Sequence, residues 1–129
     1  MKALILLLAS LLFASCGKEE LKLDLVEVKY VIVSNTKEPY NWIKYYEADE
    51  SGYSKDKDWI IPGQVIGRFE KVVKVQNGQS AMLTVYNYQS GDFYILLFQG
   101  NERLDSIIGD RARPGTYYQA TISQKIIKK

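Results

Sequence analysis

The amino-acid sequence predicts an all-β fold, a small antiparallel β-sandwich (Ig-like) of roughly six to seven strands. Three observations support this prediction. Apolar and polar residues alternate with a period of two in several segments, turn-forming pairs such as Asn-Gly separate these segments, and no segment has the 3.6-residue period of a convincing helix.

The alternation locates the strands one by one. In 25–34 four apolar residues share one face, while Glu27 and Lys29 lie on the other. The segment 93–98 (FYILLF) is apolar on both faces, which indicates a central strand. The remaining strands are predicted at 40–47, 65–75, 81–88 and 116–126.

Turn residues predict how the strands connect. Asn77-Gly78 suits a tight hairpin between the strand ending at Val75 and the next strand, and 90–92 (SGD) suits a second hairpin. The acidic segment 47–58 and the long segment 100–115 are predicted as loops, with at most a single helical turn at 103–108.

The N-terminus has the three parts of a secretory signal. Lys2 gives a positive start, residues 3–13 are almost entirely apolar, and small residues precede the single cysteine, Cys16. The apolar run is shorter than the roughly 20 residues that span a bilayer. The sequence "LFASC" resembles the lipobox of bacterial lipoproteins, which implies a signal peptide at 1–15 and acyl chains on Cys16. A plain signal peptide with a free thiol and an intracellular start are the alternatives.

Residues 16–23 are then a lipidated cysteine and flexible tether, and residues 24–129 form one domain. Lys18, Glu19 and Glu20 resemble the export signal of Bacteroidetes surface lipoproteins. This resemblance implies an outer-membrane lipoprotein exposed at the cell surface, with the inner face of the outer membrane as the alternative location.

Composition argues against several functions. The formal net charge is only +2, and no basic stripe is present, so nucleic acid is not an expected partner. The chain has no histidine, which removes histidine-based nucleophile systems and, with one cysteine, the usual zinc sites. We therefore predict no enzymatic activity and no cofactor.

Carboxylates in 47–58 (EADESGYSKDKD) raise the alternative of a calcium loop. Two lysines interrupt them, and the D-x-D-x-D-G spacing is absent. The prediction is a solvated loop and no metal site.

An aromatic cluster is the remaining candidate site: Tyr40, Trp42, Tyr46 and Trp59. If exposed, these rings would stack on sugars or bind a peptide. Because Trp42 and Tyr46 share one face of a predicted strand, the favoured interpretation is that they close one end of the core.

The order of the segments "VKYVIVSN", "IKYYEADESG", "VVKVQNGQSAMLTVYN", "FYILLFQGNERLDSI" and "YYQATIS" resembles the MmpS-type family over residues 26–124. These are small secreted or membrane-anchored β-sandwich domains, some of which assist lipid-exporting transporters. The resemblance implies a non-enzymatic interaction domain that meets a protein partner in the cell envelope. A surface carbohydrate-binding module is the alternative function.

Overall fold

The computed structural model describes residues 22–61, 63, 65–113 and 117–129. Cys16, Lys18, Glu19 and Glu20 lie outside the described residues. The described chain contains nine strands and no helix. They are β1 Leu25–Ser34, β2 Trp42–Ala48, β3 Ser54–Asp58, β4 Gly67–Gln76, β5 Ser80–Asn87, β6 Phe93–Gln99, β7 Glu102–Ile108, β8 Asp110–Arg113 and β9 Tyr117–Lys125.

The strands form two antiparallel sheets that pack face to face, which confirms the β-sandwich. The first sheet has the order β4-β1-β6-β7 and the second β3-β2-β5-β9-β8. The apolar strand β6 lies between β1 and β7, as its composition predicts.

Three strands lie where the sequence predicts loops or a helical turn. Strand β3 (SKDKD) is exposed along most of its length and is held by backbone pairing with β2. The segment predicted as a long loop with a helical turn forms β7 and β8. These strands were missed because edge strands bury little apolar surface, so their alternation is weak.

The two predicted turns connect the expected strands, but the prediction that they close tight hairpins is wrong. The backbone N–H of Gln79 donates to the Gln76 carbonyl at 2.9 Å, so the Asn77-Gly78 turn exists. Only Gly78 has positive φ (88°), however, and the turn joins β4 of the first sheet to β5 of the second. Residues 90–92 likewise connect β5 to β6 across the sandwich. Local turn chemistry predicts the reversal but does not determine which strands pair.

The core is formed by the inward residues of both sheets. The predicted inward face of β1 is confirmed: Val28, Tyr30 and Ile32 are at most 1% exposed. Facing them are the buried residues Ile43, Tyr45, Leu83, Val85, Ala120 and Ile122 of the second sheet. Burial of this apolar surface is the main force that holds the sheets together.

Tyr30 links the two sheets by hydrogen bonds. Its hydroxyl donates to the Tyr46 carbonyl at 2.7 Å and accepts from the Met82 backbone N–H at 3.1 Å. Burial raises the pKa of the Tyr30 hydroxyl far above its ordinary value of 10.0. The neutral phenol of Tyr30 therefore joins the Tyr46 carbonyl to the Met82 N–H, just beyond Tyr45–Leu83, the last pair of the β2–β5 ladder.

The two ends of the sandwich are easy to identify from the strand directions. One end, the tether end, holds the start of β1 at Leu25, the 76–79 turn and the last residues after β9. The opposite end, the distal end, holds the end of β1, the start of β2 and the end of β5. Ten residues of β1 separate the two, a distance of about 30 Å.

Candidate functional site

An exposed group of aromatic rings lies on the outer face of the second sheet at the distal end. Trp42 alternates with buried Ile43 and is 42% exposed. Tyr86 is directly opposite Trp42 in the β2–β5 ladder. The two rings stack at a centroid distance of 4.8 Å and an interplanar angle of 19°.

Tyrosines from β9 and from the end of β5 extend this group. Tyr117 meets Tyr86 edge to face at 5.3 Å, and Tyr88 meets Tyr117 in the same manner at 6.3 Å. Tyr88 is 62% exposed. Cross-strand aromatic pairs of this kind stabilise the pairing, and the rings also present a broad apolar surface to solvent.

Asn41 fixes the backbone at the edge of this surface. Its N–H donates to the Tyr86 carbonyl at 3.0 Å, and its side-chain oxygen accepts from the Tyr88 N–H at 2.8 Å. Asn41 is exposed, and its NH₂ group makes no hydrogen bond within the described part of the chain.

A cleft, here the tyrosine cleft, is lined by Asn41, Trp42, Tyr86, Tyr88 and Tyr117 and has a volume of about 470 Å³. None of these side chains is a carboxylate, an ammonium or a guanidinium group. The three tyrosine hydroxyls have no hydrogen-bond partner among the described residues. The cleft thus combines ring surface with groups that are available to donate and accept hydrogen bonds.

A second cleft, the tryptophan cleft, adjoins the first and shares Asn41 and Trp42 with it. It measures about 310 Å³, and its other lining residues are Tyr40, Ile43, Asp58, Trp59, Ile60 and Ile61. This cleft exists because β3 ends at Asp58 opposite Lys44, so no strand covers β2 at Trp42 and Ile43. Ile60 is 83% exposed at its rim.

The four aromatic residues singled out from the sequence have different environments. Trp42 is exposed on the outer face, so its predicted role in closing the core is wrong. Tyr46 also lies on the outer face, beyond Lys44, and lines neither cleft. Tyr40 and Trp59 are partly buried against the core and border the tryptophan cleft.

Trp59 packs against the core, whereas Trp42 is exposed on the outer face of the second sheet. Trp59 follows β3, and its backbone N–H donates to the Ile43 carbonyl at 3.1 Å. The ammonium of Lys71, from the opposite sheet, lies 5.8 Å from the Trp59 ring centre. Trp59 therefore belongs to the open edge of the sandwich, and the partner of Trp42 on the exposed face is Tyr86.

Tyr40 contributes a buried hydroxyl at the distal end. Its ring packs edge to face on Phe93 at 5.5 Å, and burial raises its pKa to about 12, an effect that the nearby Ser34 hydroxyl reduces. The Ser34 hydroxyl is directed at the Thr36 carbonyl at 3.3 Å. The Tyr40 hydroxyl consequently has no well-formed hydrogen bond to any residue that the structure describes.

One cation lies beside the aromatic face. The Lys44 ammonium is 4.7 Å from the Trp42 ring centre, a favourable cation–π distance. Farther along the same face, the Thr84 and Thr121 hydroxyls share a hydrogen bond of 3.2 Å, and the Gln119 amide donates to Thr121 at 3.0 Å.

Sequence reasoning missed Asn41, Tyr86, Tyr88 and Tyr117. The abundance of tyrosine in the predicted strands, 10 in the whole chain, was the available signal. It did not indicate which rings meet, because the pairing of β2 with β5 and of β5 with β9 joins segments about 40 residues apart.

Within the described ranges, no three side chains of His, Cys, Asp or Glu come together as a metal site. No helix there is long and apolar enough to cross a membrane. Comparison of the chain with protein-family models, curated proteins and solved structures found no match.

Proposed function

We propose that this protein is an outer-membrane lipoprotein, exposed at the cell surface, whose β-sandwich is a non-enzymatic interaction domain. The apolar segment at 3–13 and the lipobox-like sequence ending at Cys16 support lipid anchoring. Lys18, Glu19 and Glu20 support transfer to the surface. The domain would bind its partner through the aromatic face around Trp42 and Tyr86.

The observation that carries this proposal is the position of the aromatic face relative to the tether. The chain enters the domain at Asp24, which accepts hydrogen bonds from Asn77 in the 76–79 turn. Trp42, Tyr86 and Tyr88 lie at the distal end, about one strand length away. An anchored domain of this shape presents its exposed rings away from the lipid surface, where a partner is able to reach them.

The resemblance to MmpS-type domains favours a protein partner, within a transport or assembly complex of the envelope. Aromatic residues are enriched at the centres of such interfaces, where truncation of one ring often weakens binding by more than about 1 kcal/mol.

A carbohydrate-binding module is the second candidate function. The observation that favours it is the exposed stack of Trp42 and Tyr86 beside uncharged hydrogen-bonding groups. Pockets that combine aromatic walls with a few polar groups are typical of small-molecule sites.

Photo-crosslinking in cells tests the proposed function. A photoreactive residue at position 88 is expected to cross-link a partner, because Tyr88 is 62% exposed on the aromatic face. Position 108 is the matched control, since Ile108 is 72% exposed at the same end but on the outer face of the first sheet. Cys16→Ala is expected to remove the protein from the membrane fraction and to abolish the cross-link.

Equal cross-linking at positions 88 and 108 would show that the aromatic face is not the binding surface. Unchanged membrane fractionation of the Cys16→Ala variant would refute the lipid anchor.

A further inference from the structure

We infer that the aromatic face binds an uncharged oligosaccharide chain that occupies both clefts, with one sugar unit on each side of Trp42. This inference rests on the second candidate function, because it assigns a class of sugar ligand to the aromatic face proposed there. It identifies the ligand by class and by minimum length.

The chemistry of the tyrosine cleft argues for an uncharged, hydroxylated ligand. A sugar ring offers C–H groups that contact aromatic rings, and hydroxyls that exchange hydrogen bonds with Asn41 and the tyrosine hydroxyls. A purely aliphatic ligand would bury these polar groups without partners, which is unfavourable. Among the described residues that line this cleft none is a cation, and the neighbouring Lys44 ammonium lies over the Trp42 ring.

The tryptophan cleft extends the site in a complementary way. Asp58 is exposed at this cleft, and an ionised carboxylate only accepts hydrogen bonds. Its two oxygens suit a pair of neighbouring sugar hydroxyls. Ile60 and Ile61 supply apolar contact for the face of the same sugar.

The geometry argues for a chain and against a single sugar. The clefts share Asn41 and Trp42, so a ligand that fills both passes over these two residues. Their volumes of about 470 and 310 Å³ each lie within the range of small-molecule sites. Contacts made in both clefts by one molecule add to its affinity, whereas a monosaccharide makes only half of them.

Binding of defined oligosaccharides to the lipoprotein in detergent micelles tests this inference. The probes are neutral gluco-, xylo- and manno-oligosaccharides from monosaccharide to hexasaccharide. Tryptophan fluorescence is a suitable signal because the chain has only two tryptophans, Trp42 and Trp59, and both line the tryptophan cleft. Affinity for at least one series is expected to rise steeply from monosaccharide to trisaccharide.

Substitutions assign the binding to the two clefts. Tyr86→Ala and Asp58→Ala are each expected to weaken binding about tenfold or more, followed by calorimetry. Asp58→Ala should weaken the binding of oligosaccharides but not that of a monosaccharide bound in the tyrosine cleft. Tyr94→Ala is the matched control, because Tyr94 is a half-buried tyrosine on the outer face of the first sheet.

Three results would overturn the inference: no binding by any series, equal affinity for monosaccharide and hexasaccharide, or equal loss in the Tyr94→Ala control. Its failure is distinguishable from failure of the proposed function. If no sugar binds but position 88 still cross-links a protein in cells, the ligand assignment is wrong and the interaction domain stands.

Discussion

The tether end of the sandwich and the aromatic face at its distal end use their polar groups in different ways. At the tether end, Asp24 accepts hydrogen bonds from the Lys128 ammonium at 2.7 Å and from the Asn77 amide at 3.0 Å. The backbone N–H of Lys128 donates to the Asn77 side-chain oxygen, and the N–H of Gly78 donates to the Ile126 carbonyl. The turn thereby fastens both termini of the domain.

At the distal end, by contrast, the hydroxyls of Tyr86, Tyr88 and Tyr117 have no partner among the residues described. The rings pack on one another, but their polar groups remain available. The hydrogen bonds at the tether end hold the chain together, whereas the aromatic face at the distal end leaves its tyrosine hydroxyls without a partner among the described residues.

The largest expected effect on stability concerns the side-chain packing in the core at the distal end. A Cβ atom on Gly109 would lie 2.6 Å from the ring of Phe93 and 2.9 Å from the Gly91 carbonyl oxygen. Phe93 is only 2% exposed and has little room to move. Gly109→Ala should therefore destabilise the domain by about 3 kcal/mol, measured by urea unfolding.

Gly100→Ala is the control at the tether end. Gly100 has φ of 58°, and a Cβ there would meet nothing within 4 Å. The Gly100→Ala substitution should therefore cost only the strain of an alanine in the left-handed conformation, about 1 to 2 kcal/mol of stability. A Gly109→Ala variant no less stable than Gly100→Ala would contradict the tight packing at the distal end.

A smaller effect is expected at the tether end, and it should depend on pH. The hydrogen bond from Lys128, followed by that from Asn77, lowers the pKa of Asp24 below 3.8. The stabilising contribution of Asp24 is therefore complete above pH 3.8 and is lost as the pH falls through the lowered folded-state pKa. Asp24→Asn should reduce the Tm at pH 7, and the difference from wild type should shrink below pH 3.8.

Glu27→Gln is the matched control, because Glu27 is an exposed carboxylate with no ion pair in the described ranges. Its Tm should follow that of the wild type. If the Tm of Asp24→Asn stays below that of the wild type by the same amount from pH 7 to pH 2, the ion pair is ruled out as the cause.

The smallest effect at neutral pH is expected at Tyr40. Since its buried hydroxyl lacks a well-formed hydrogen bond, Tyr40→Phe should change the stability at pH 7 by no more than about 0.5 kcal/mol. Above pH 10 the variant should become the more stable protein. The folded-state pKa of Tyr40 is about 12 against 10.0 for an ordinary tyrosine, so wild-type stability falls as the pH rises between these values.

Unfolding curves at pH 7 and pH 11 provide this measurement. A loss of about 1 kcal/mol or more at pH 7 would reveal a hydrogen bond to Tyr40, and the contrast between the two ends would weaken.

The sequence was a better guide to buried strands than to exposed ones. The alternation in β1 and the apolar run of β6 identified both strands, because each must place apolar residues in the core. The edge strand β3 and the strands β7 and β8 gave no such signal. Of the site, Tyr40, Trp42 and Trp59 were selected from the sequence, but the favoured interpretation placed Trp42 in the core, whereas it is exposed.

The sequence by itself determined the all-β class, the inward face of β1 and the reversal at Asn77-Gly78, because these follow from side-chain periodicity and local turn chemistry. Only the tertiary structure decided that this turn crosses between sheets and that Trp42 stands beside Tyr86 on an exposed face. Both depend on which distant strands pair, and that choice is made by burial of the whole core, which no local segment encodes.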